Sequence, residues 1–326
     1  NLYGKKDRCV TPYHQTIEDN VSWRIICELE RKSDYQNRRN QIHKFNDSNQ
    51  ILKKGIALTP VKFGISFTAT WFNQAGALVH IYTDGSIYLN HGGTEMGQGL
   101  NTKVASVIAD AFDLPHSRVK ISATDTSKIP NTSATAASAG SDLNGMAALN
   151  AANTLKSRLA DLIVSLYGVD RKTIYYKAGY VLFDKKRLKF EELIRKAYEQ
   201  RVQLSATGFY KTPKIHWDRN KGCGRPFYYF SYGASTTEVT VDTLTGEFQV
   251  DRVDILHDVG SSLNTEIDRG QIEGGFIQGM GWLTTEELYW DKKGKLLTHA
   301  PSTYKIPLAS DRPREFNIYL ANWSRN

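Results

Sequence analysis

Apolar positions recur along the chain with two different periods, and the change of period separates helices from strands. Between residues 17 and 31, Val21, Ile25, Ile26 and Leu29 fall at helical spacing behind Asp19 or Asn20, either of which can cap a helix. That spacing predicts an amphipathic helix, and the polar run from Ser33 to Asn49 continues it as helix or solvated connector. From Gly55 to Asn90 β-branched and aromatic residues take over. Segments 77–82 and 86–89 flank a turn at Thr83-Asp84-Gly85-Ser86, which predicts a hairpin. Behind Gly97-Gln98-Gly99 the helical period returns through Leu100, Val104, Val107, Ile108, Ala111 and Phe112, until Leu114-Pro115 stops the run. Residues 118–124 read as a short strand. After a loop of small residues, Leu143, Met146, Leu155, Leu159 and Leu162 predict a helix ending near Gly168.

The same grammar returns further on. Residues 238–242 and 247–250 predict strands around a turn ending at Gly246, residues 252–258 alternate as another strand, and 270–281 is a glycine-rich helix candidate. Antiparallel hairpins mixed with helices predict an α+β fold rather than a doubly wound parallel sheet. The pattern divides the chain into a helical lead-in over residues 1–54 and two mixed α/β lobes over 55–205 and 206–326.

Composition then narrows the function classes. Of 326 residues 40% are hydrophobic and 23% charged, a globular balance that excludes disorder, collagen and coiled coil. No run approaches the roughly 20 apolar residues that span a bilayer, and the first residues lack an apolar signal core, so a soluble, unexported protein is expected. Cys9, Cys27 and Cys223 are odd in number and lack C-x-x-C spacing, which writes neither a disulfide framework nor a zinc or iron–sulfur site and fits a reducing cytoplasm. The formal charge of +8 looks scattered. Residues 1–54 hold 11 basic and 7 acidic side chains, which a solvated helical segment explains at least as well as a nucleic-acid patch. No zinc-finger, helix-turn-helix or RNA-recognition signature supports the latter, so neither nucleic acid nor membrane is expected as a partner.

Three segments place small residues at the start of a predicted helix, where propensity alone favours larger ones. They are residues 91–99, residues 130–141 and residues 270–281. Their glycines permit positive φ and close backbone approach, and the free N–H groups of a new helix suit an anion. Gln271 and Gln278, seven apart, fall on one face of the third helix. The plainer alternative is that such glycines are turns, caps or close helix packing. Neither a P-loop nor a dinucleotide fingerprint is present. His80, His91 and His257 lack metal-ligand spacing and read as structural, and Glu95 and Glu273 read as caps for backbone donors rather than as general bases. No Ser–His–Asp order is visible.

These residues also carry a resemblance. The run from His91 through Glu95, Gly97, Gln98 and Gly99 to Lys103, the segment Phe63–Thr68 with Asn73–Leu78, residues 130–142, and Asp258–Asn264 leading into Gly270–Gly274 closely resemble the molybdenum-binding region of the xanthine dehydrogenase/aldehyde oxidase family. The match runs from about Tyr3 to Asn326, and its wording at Gly64–Thr68 and Gly92–Gly99 favours the xanthine branch. The resemblance implies a molybdopterin cofactor and hydroxylation of hypoxanthine or xanthine with water-derived oxygen. Electrons would leave through 2Fe–2S clusters to FAD and NAD on other segments or subunits. It implies that Gly97 and Gln98 form a cofactor loop, with the Gln98 amide directed to the molybdenum or the pterin. Thr135, Ala136, Ala137, Ser138 and Gly140 are similar to the loop around pterin and phosphate, with Ala137 beside the metal. Gln271 is similar to a glutamine that bonds the pterin, Phe67 to a ring packed against the purine, and Thr68 to a hydroxyl that bonds it.

The departures qualify that reading. The family's catalytic glutamate belongs to a Gly-Glu-Pro-Pro segment placed beyond Asn326, so no catalytic residue is nominated in this chain, and the upstream substrate-binding Arg and Glu are likewise outside it. The expectation is a fragment or split subunit of a dimeric cytoplasmic enzyme, inactive alone and partnered by an iron–sulfur/FAD segment or subunit. An aldehyde oxidase or other N-heterocycle hydroxylase is the alternative within the class. A non-catalytic module binding an anionic ligand is the alternative outside it.

Overall fold

The structure, a computed structural model, describes residues 2–4, 6–128 and 131–324. Helices α1 (Ser22–Lys32) and α2 (Tyr35–Ser48) form on the early stripe and the polar run, burying Ile25, Leu29 and Ile42. Strand β1 (Leu52–Ile65) precedes the expected hairpin of β2 (Gln74–Ile81) and β3 (Ile87–His91), paired from Ala77–His91 to Ile81–Ile87. Next come α3 (Leu100–Phe112), β4 (Val119–Ile121) and α4 (Gly140–Tyr167). A meander of β5 (Tyr175–Lys177), β6 (Tyr180–Phe183) and β7 (Lys186–Lys189) leads to α5 (Phe190–Glu199) and β8 (Ser205–Lys211). Beyond the short β9 (His216–Asp218) and β10 (Cys223–Arg225) lie β11 (Tyr229–Asp242), β12 (Phe248–His257), α6 (Thr265–Leu283) and β13 (Glu315–Leu320). Antiparallel pairs mixed with helices make this an α+β fold, as the hairpin pattern implied.

The chain forms two compact units interleaved in sequence. The first takes residues up to Val10, Thr16–Gly64 and everything from Tyr229; the second takes Thr11–Gln15 and Ile65–Tyr228. This division cuts across the linear partition at 54/55 and 205/206. Residues 55–64 side with α1 and α2 because β1 lies beside β11, while 206–211 side with β2 because β8 pairs with it.

In the first unit the sheet order is β1-β11-β12-β13, with β11 and β12 antiparallel and β12 and β13 parallel. Alternation along β12 sends Val253 and Ile255 to α6, where Ile272, Phe276, Ile277 and Met280 complete an apolar layer. Asp254, between them, points the other way and is fully buried. It accepts hydrogen bonds from Arg38 Nη1 at 2.9 Å, Arg252 Nε at 2.8 Å and Asn317 Nδ2 at 3.0 Å, while Glu238 takes a second nitrogen of Arg38 at 2.8 Å. A buried carboxylate is tolerated here because every side of it meets a donor.

In the second unit the order is β4-β3-β2-β8, antiparallel except for the parallel pair β3 and β4. Helix α4 lies against β2 and β8 through buried Ala147, Ala148, Ala151 and Ala152. The approach is closest at Gly208, where a Cβ would stand 2.0 Å from the Ala147 carbonyl oxygen. The positive charge is less scattered than its linear reading: residues 171–189 hold seven basic side chains against Asp184 alone, and Lys177, Lys186, Arg187 and Lys189 of the meander are exposed.

Asp254→Ala would remove the buried acceptor shared by Arg38, Arg252 and Asn317, leaving Glu238 as the carboxylate on Arg38. It is expected to cost the fold about 3–5 kcal/mol, read as a lowered urea midpoint of the protein. A change below about 1 kcal/mol, the usual worth of a surface ion pair, would show that the cluster is solvated.

Candidate functional site

Because β3 and β4 run parallel, their C-terminal ends lie side by side, and each feeds a loop that opens a helix. Residues 92–99 lead into α3 and residues 122–139 into α4; Ile129 and Pro130, part of the small-residue loop read from the sequence, lie outside the described residues. A third loop, 66–73, connects β1 to β2. Hydrogen bonds tie the three together. The Thr94 N–H donates to Thr135 Oγ1 at 2.9 Å, and the Ser66 N–H donates to the Ala137 carbonyl at 3.4 Å. Loops 92–99 and 131–139 also touch where a Cβ on Gly92 would sit 2.2 Å from Thr132 Oγ1. The second unit therefore gathers Phe67, Thr68, Gly97, Gln98, Thr135, Ala136, Ala137, Ser138 and Gly140 on linked loops.

The first loop closes on itself. Gly97 and Gly99 have φ of 98° and 74°, which turns their N–H groups inward. Glu95 receives them: Oε1 accepts from Gly97 and Gly99 and Oε2 from Asn101, each at 2.9 Å. The donors read from sequence as free for an external anion are thus occupied by a side chain of the same loop, as the capping reading of Glu95 held. Partial burial pushes the Glu95 pKa up, but the three N–H donors and nearby His91 outweigh that and hold it below the usual glutamate value. The Gln98 amide is fixed as well, with Oε1 accepting the Met96 N–H at 2.6 Å and Nε2 donating to the Thr94 carbonyl at 2.8 Å.

The loop before α4 is built differently. Ala137 and Ser138 both adopt left-handed backbone, at φ 55° and 54°. Such a conformation costs a non-glycine residue roughly 1–2 kcal/mol, and strain of this kind concentrates at ligand clamps. The N-cap, Ala139, has no side-chain acceptor to offer the first turn of this 28-residue helix. No N-cap side chain therefore takes the first donors of α4, whose first turn carries Asp142.

Two further observations fit a polar, phosphorylated cofactor of the pterin class. Thr132 Oγ1 and Asn144 Oδ1 are buried in this corner without a hydrogen-bond partner. Gly93 leaves no room for a side chain, since a Cβ would meet Leu100 at 2.5 Å and Asn144 at 2.7 Å. The residues that would hold the group are accordingly small, with main-chain donors and hydroxyls. His91 is buried, its Nδ1 accepting the Gly93 N–H at 3.1 Å. Burial lowers its pKa, with the Asn101 side chain and Glu95 opposing. Among the described residues no cluster of His, Cys, Asp or Glu could itself hold a metal ion.

Phe67 is half-buried, with Phe72 edge-on at 5.5 Å between ring centroids, and Thr68 is exposed beside it. Gln271 belongs to the first unit, on the exposed face of α6 with Gln278 two turns on. Asn264 caps that helix, its side chain accepting the Ile267 N–H at 3.1 Å, so Glu273 is not the cap that its sequence position suggested. The sequence reading missed Ser66, Thr94, Thr132 and Asn144. The one available signal was the polar spacing around each glycine corner.

Linked small-residue loops at the ends of parallel strands, with buried unpaired oxygens, suit a flat, polar ligand. The sequence profile of the molybdopterin cofactor-binding domain matches residues 28–313, and the chain belongs to that family. Among its relatives, a xanthine dehydrogenase of Dictyostelium discoideum is 46% identical across 98% of this chain. A xanthine dehydrogenase/oxidase of Felis catus is 45% identical across the same share. The chain spans 22% of the length of each. Quinoline 2-oxidoreductase from Pseudomonas putida 86 superposes with a TM-score of 0.84 at 23% identity, covering 99% of this chain and 41% of that one. An aldehyde oxidoreductase from Desulfovibrio desulfuricans ATCC 27774 gives 0.78 at 21%, covering 98% and 32%. These two likenesses bear on the fold. Among the described residues no helix is long and apolar enough to cross a membrane.

A depressed carboxylate pKa means that the Glu95 bonds are present above the ordinary glutamate value and lost as pH falls through the lower, folded one. The amide resonances of Gly97, Gly99 and Asn101 are expected to titrate together in NMR spectra, with a shared midpoint below about 4.3. Three separate midpoints, or one at or above that value, would remove Glu95 as their common acceptor.

Proposed function

We propose that this chain is the molybdopterin-binding part of a xanthine dehydrogenase, acting on hypoxanthine and xanthine. The reading is supported above all by the Ser66–Ala137 hydrogen bond, which joins the loop carrying Phe67 and Thr68 to the loop carrying Ala137. Substrate-orienting and cofactor-holding residues then share one scaffold. Thr135 and Ser138 would offer hydroxyls, and Ala136, Ala137 and Gly140 main-chain groups, to the pterin and its phosphate. Gln98 and Ala137 would stand nearest the molybdenum, and Gln271 would bond the pterin. Phe67 would pack against the purine plane while the Thr68 hydroxyl bonds its edge. When bound, the cofactor supplies the two-electron oxidation that places water-derived oxygen on a purine carbon. Orientation and exclusion of water are the chain's share. We infer further that 2Fe–2S clusters and FAD on other segments or subunits take the electrons to NAD, that the complete enzyme is a cytoplasmic dimer, and that residues 1–326 alone do not turn over.

The test uses the complete enzyme. Gly97→Val cannot adopt φ 98° without strain and is expected to abolish molybdenum incorporation, measured by metal analysis. Gln98→Ala is expected to lower activity far more than melting temperature. Phe67→Ala is expected to lower kcat/KM for xanthine about 5–150-fold, the equivalent of roughly 1–3 kcal/mol of packing and orientation. Full molybdenum content in the valine variant, or unchanged xanthine kinetics in the Phe67 variant, would count against the assignment.

A further inference from the structure

We propose that Asn73 is a positioning residue, whose side-chain amide sets where the Phe67 ring stands against a planar aromatic substrate. The inference rests on the substrate role given to Phe67 above. Asn73 is 2% exposed and immediately precedes β2. Its main chain is fastened to the sheet, since its carbonyl accepts the Thr212 N–H at 3.0 Å, just beyond the paired residues Gln74 and Lys211. From that anchor the side chain reaches back across the loop. Oδ1 accepts the Phe67 N–H at 2.8 Å, and Nδ2 donates to the Phe67 carbonyl at 2.9 Å and to the Thr70 carbonyl at 3.3 Å.

One side chain thus engages both main-chain polar groups of Phe67, in the way that a neighbouring strand would. On the preceding side the Ser66 N–H is held by Ala137. With both ends fixed, the Phe67 backbone has no rotation left to lose when substrate arrives, which is the physical content of preorganisation. The amide is specific for this task. Aspartate keeps the acceptor but has no donor and buries a charge, leucine has neither group, and glutamine overshoots by a methylene. The ring's remaining freedom is limited by Phe72, edge-on to it.

In the complete enzyme, Asn73→Ala, Phe67→Ala and the double variant form a cycle read on xanthine KM, with molybdenum content and melting temperature as controls for folding. Asn73→Ala is expected to raise KM about tenfold in the Phe67 enzyme, in keeping with the loss of its two hydrogen bonds to Phe67, and to do little in the Phe67→Ala background. Asn73→Gln, uncharged and carrying both groups one methylene further out, provides the comparison should the alanine variant not fold, and an intermediate rise in KM is expected from it. Equal effects in both backgrounds would overturn the proposal, because a merely structural residue acts without reference to Phe67. A 19F resonance from 4-fluorophenylalanine at position 67 separates the two layers of the argument. If it broadens or splits in Asn73→Ala while Phe67→Ala leaves KM unchanged, the loop-setting role stands and the substrate role of Phe67 fails. If it stays single and unmoved, the positioning role itself fails.

Discussion

A carboxylate occupies the start of α3. By taking three N–H groups, Glu95 satisfies donors that a helix must otherwise leave to water or ligand, and it does so around two glycines whose positive φ makes those donors converge. The Gln98 amide then has little choice of direction, because both of its bonds go to main-chain groups of the same closed loop. Thr94, at the edge of that loop, passes the constraint to Thr135. The geometry of this loop descends from one anion, which the chain supplies for itself.

The neighbouring loop solves a different problem with different means. Holding two successive non-glycine residues in left-handed backbone disfavours the fold, and the surroundings must over-determine that conformation for it to persist. Ser66 grips the Ala137 carbonyl, and Asn144 bonds the Gly140 carbonyl within the first turn of α4 at 2.8 Å. Thr124 spans the two parallel strand ends, donating to the carbonyls of His91 and Gly93 at 3.3 and 3.1 Å. Polar side chains here bond main chain almost exclusively, which leaves the loop surfaces thin. A large flat ligand is better served by thin, rigid walls than by long side chains that would have to be ordered around it.

What could be read in advance followed from periodicity and from glycine. The β2–β3 hairpin and α3 were legible because their apolar spacing and turn chemistry agree, and the corner at Gly97 because small residues at a helix start contradict propensity. Strand β13 was not legible, since residues 315–320 gain their identity only by pairing in parallel with β12. The meander of residues 175–189 was missed because charge dominates a segment whose Val181 and Phe183 nonetheless bury themselves. Within the site, the residue types carried the class of ligand, whereas the partners did not show. The string His91–Gly99 marks Glu95 as a cap without saying which donors it takes, and nothing near Asn73 says that it reaches Phe67. Both depend on backbone directions that a linear reading does not contain.

Interleaving has a consequence for biosynthesis. Arg38 meets Asp254 across a sequence separation of 216 residues, and β1 finds its neighbour β11 only after the whole second unit has been made. At roughly 5–20 residues per second, residues 65–228 occupy the ribosome for about 8–30 s, during which β1 has no adjoining strand. That edge carries Lys53, Lys54 and Lys62, charges of the kind that discourage a nascent strand from pairing with a stranger. In the finished protein Lys54 turns to Glu238 and Asp251, so a guard during synthesis becomes a clasp once the late strands arrive.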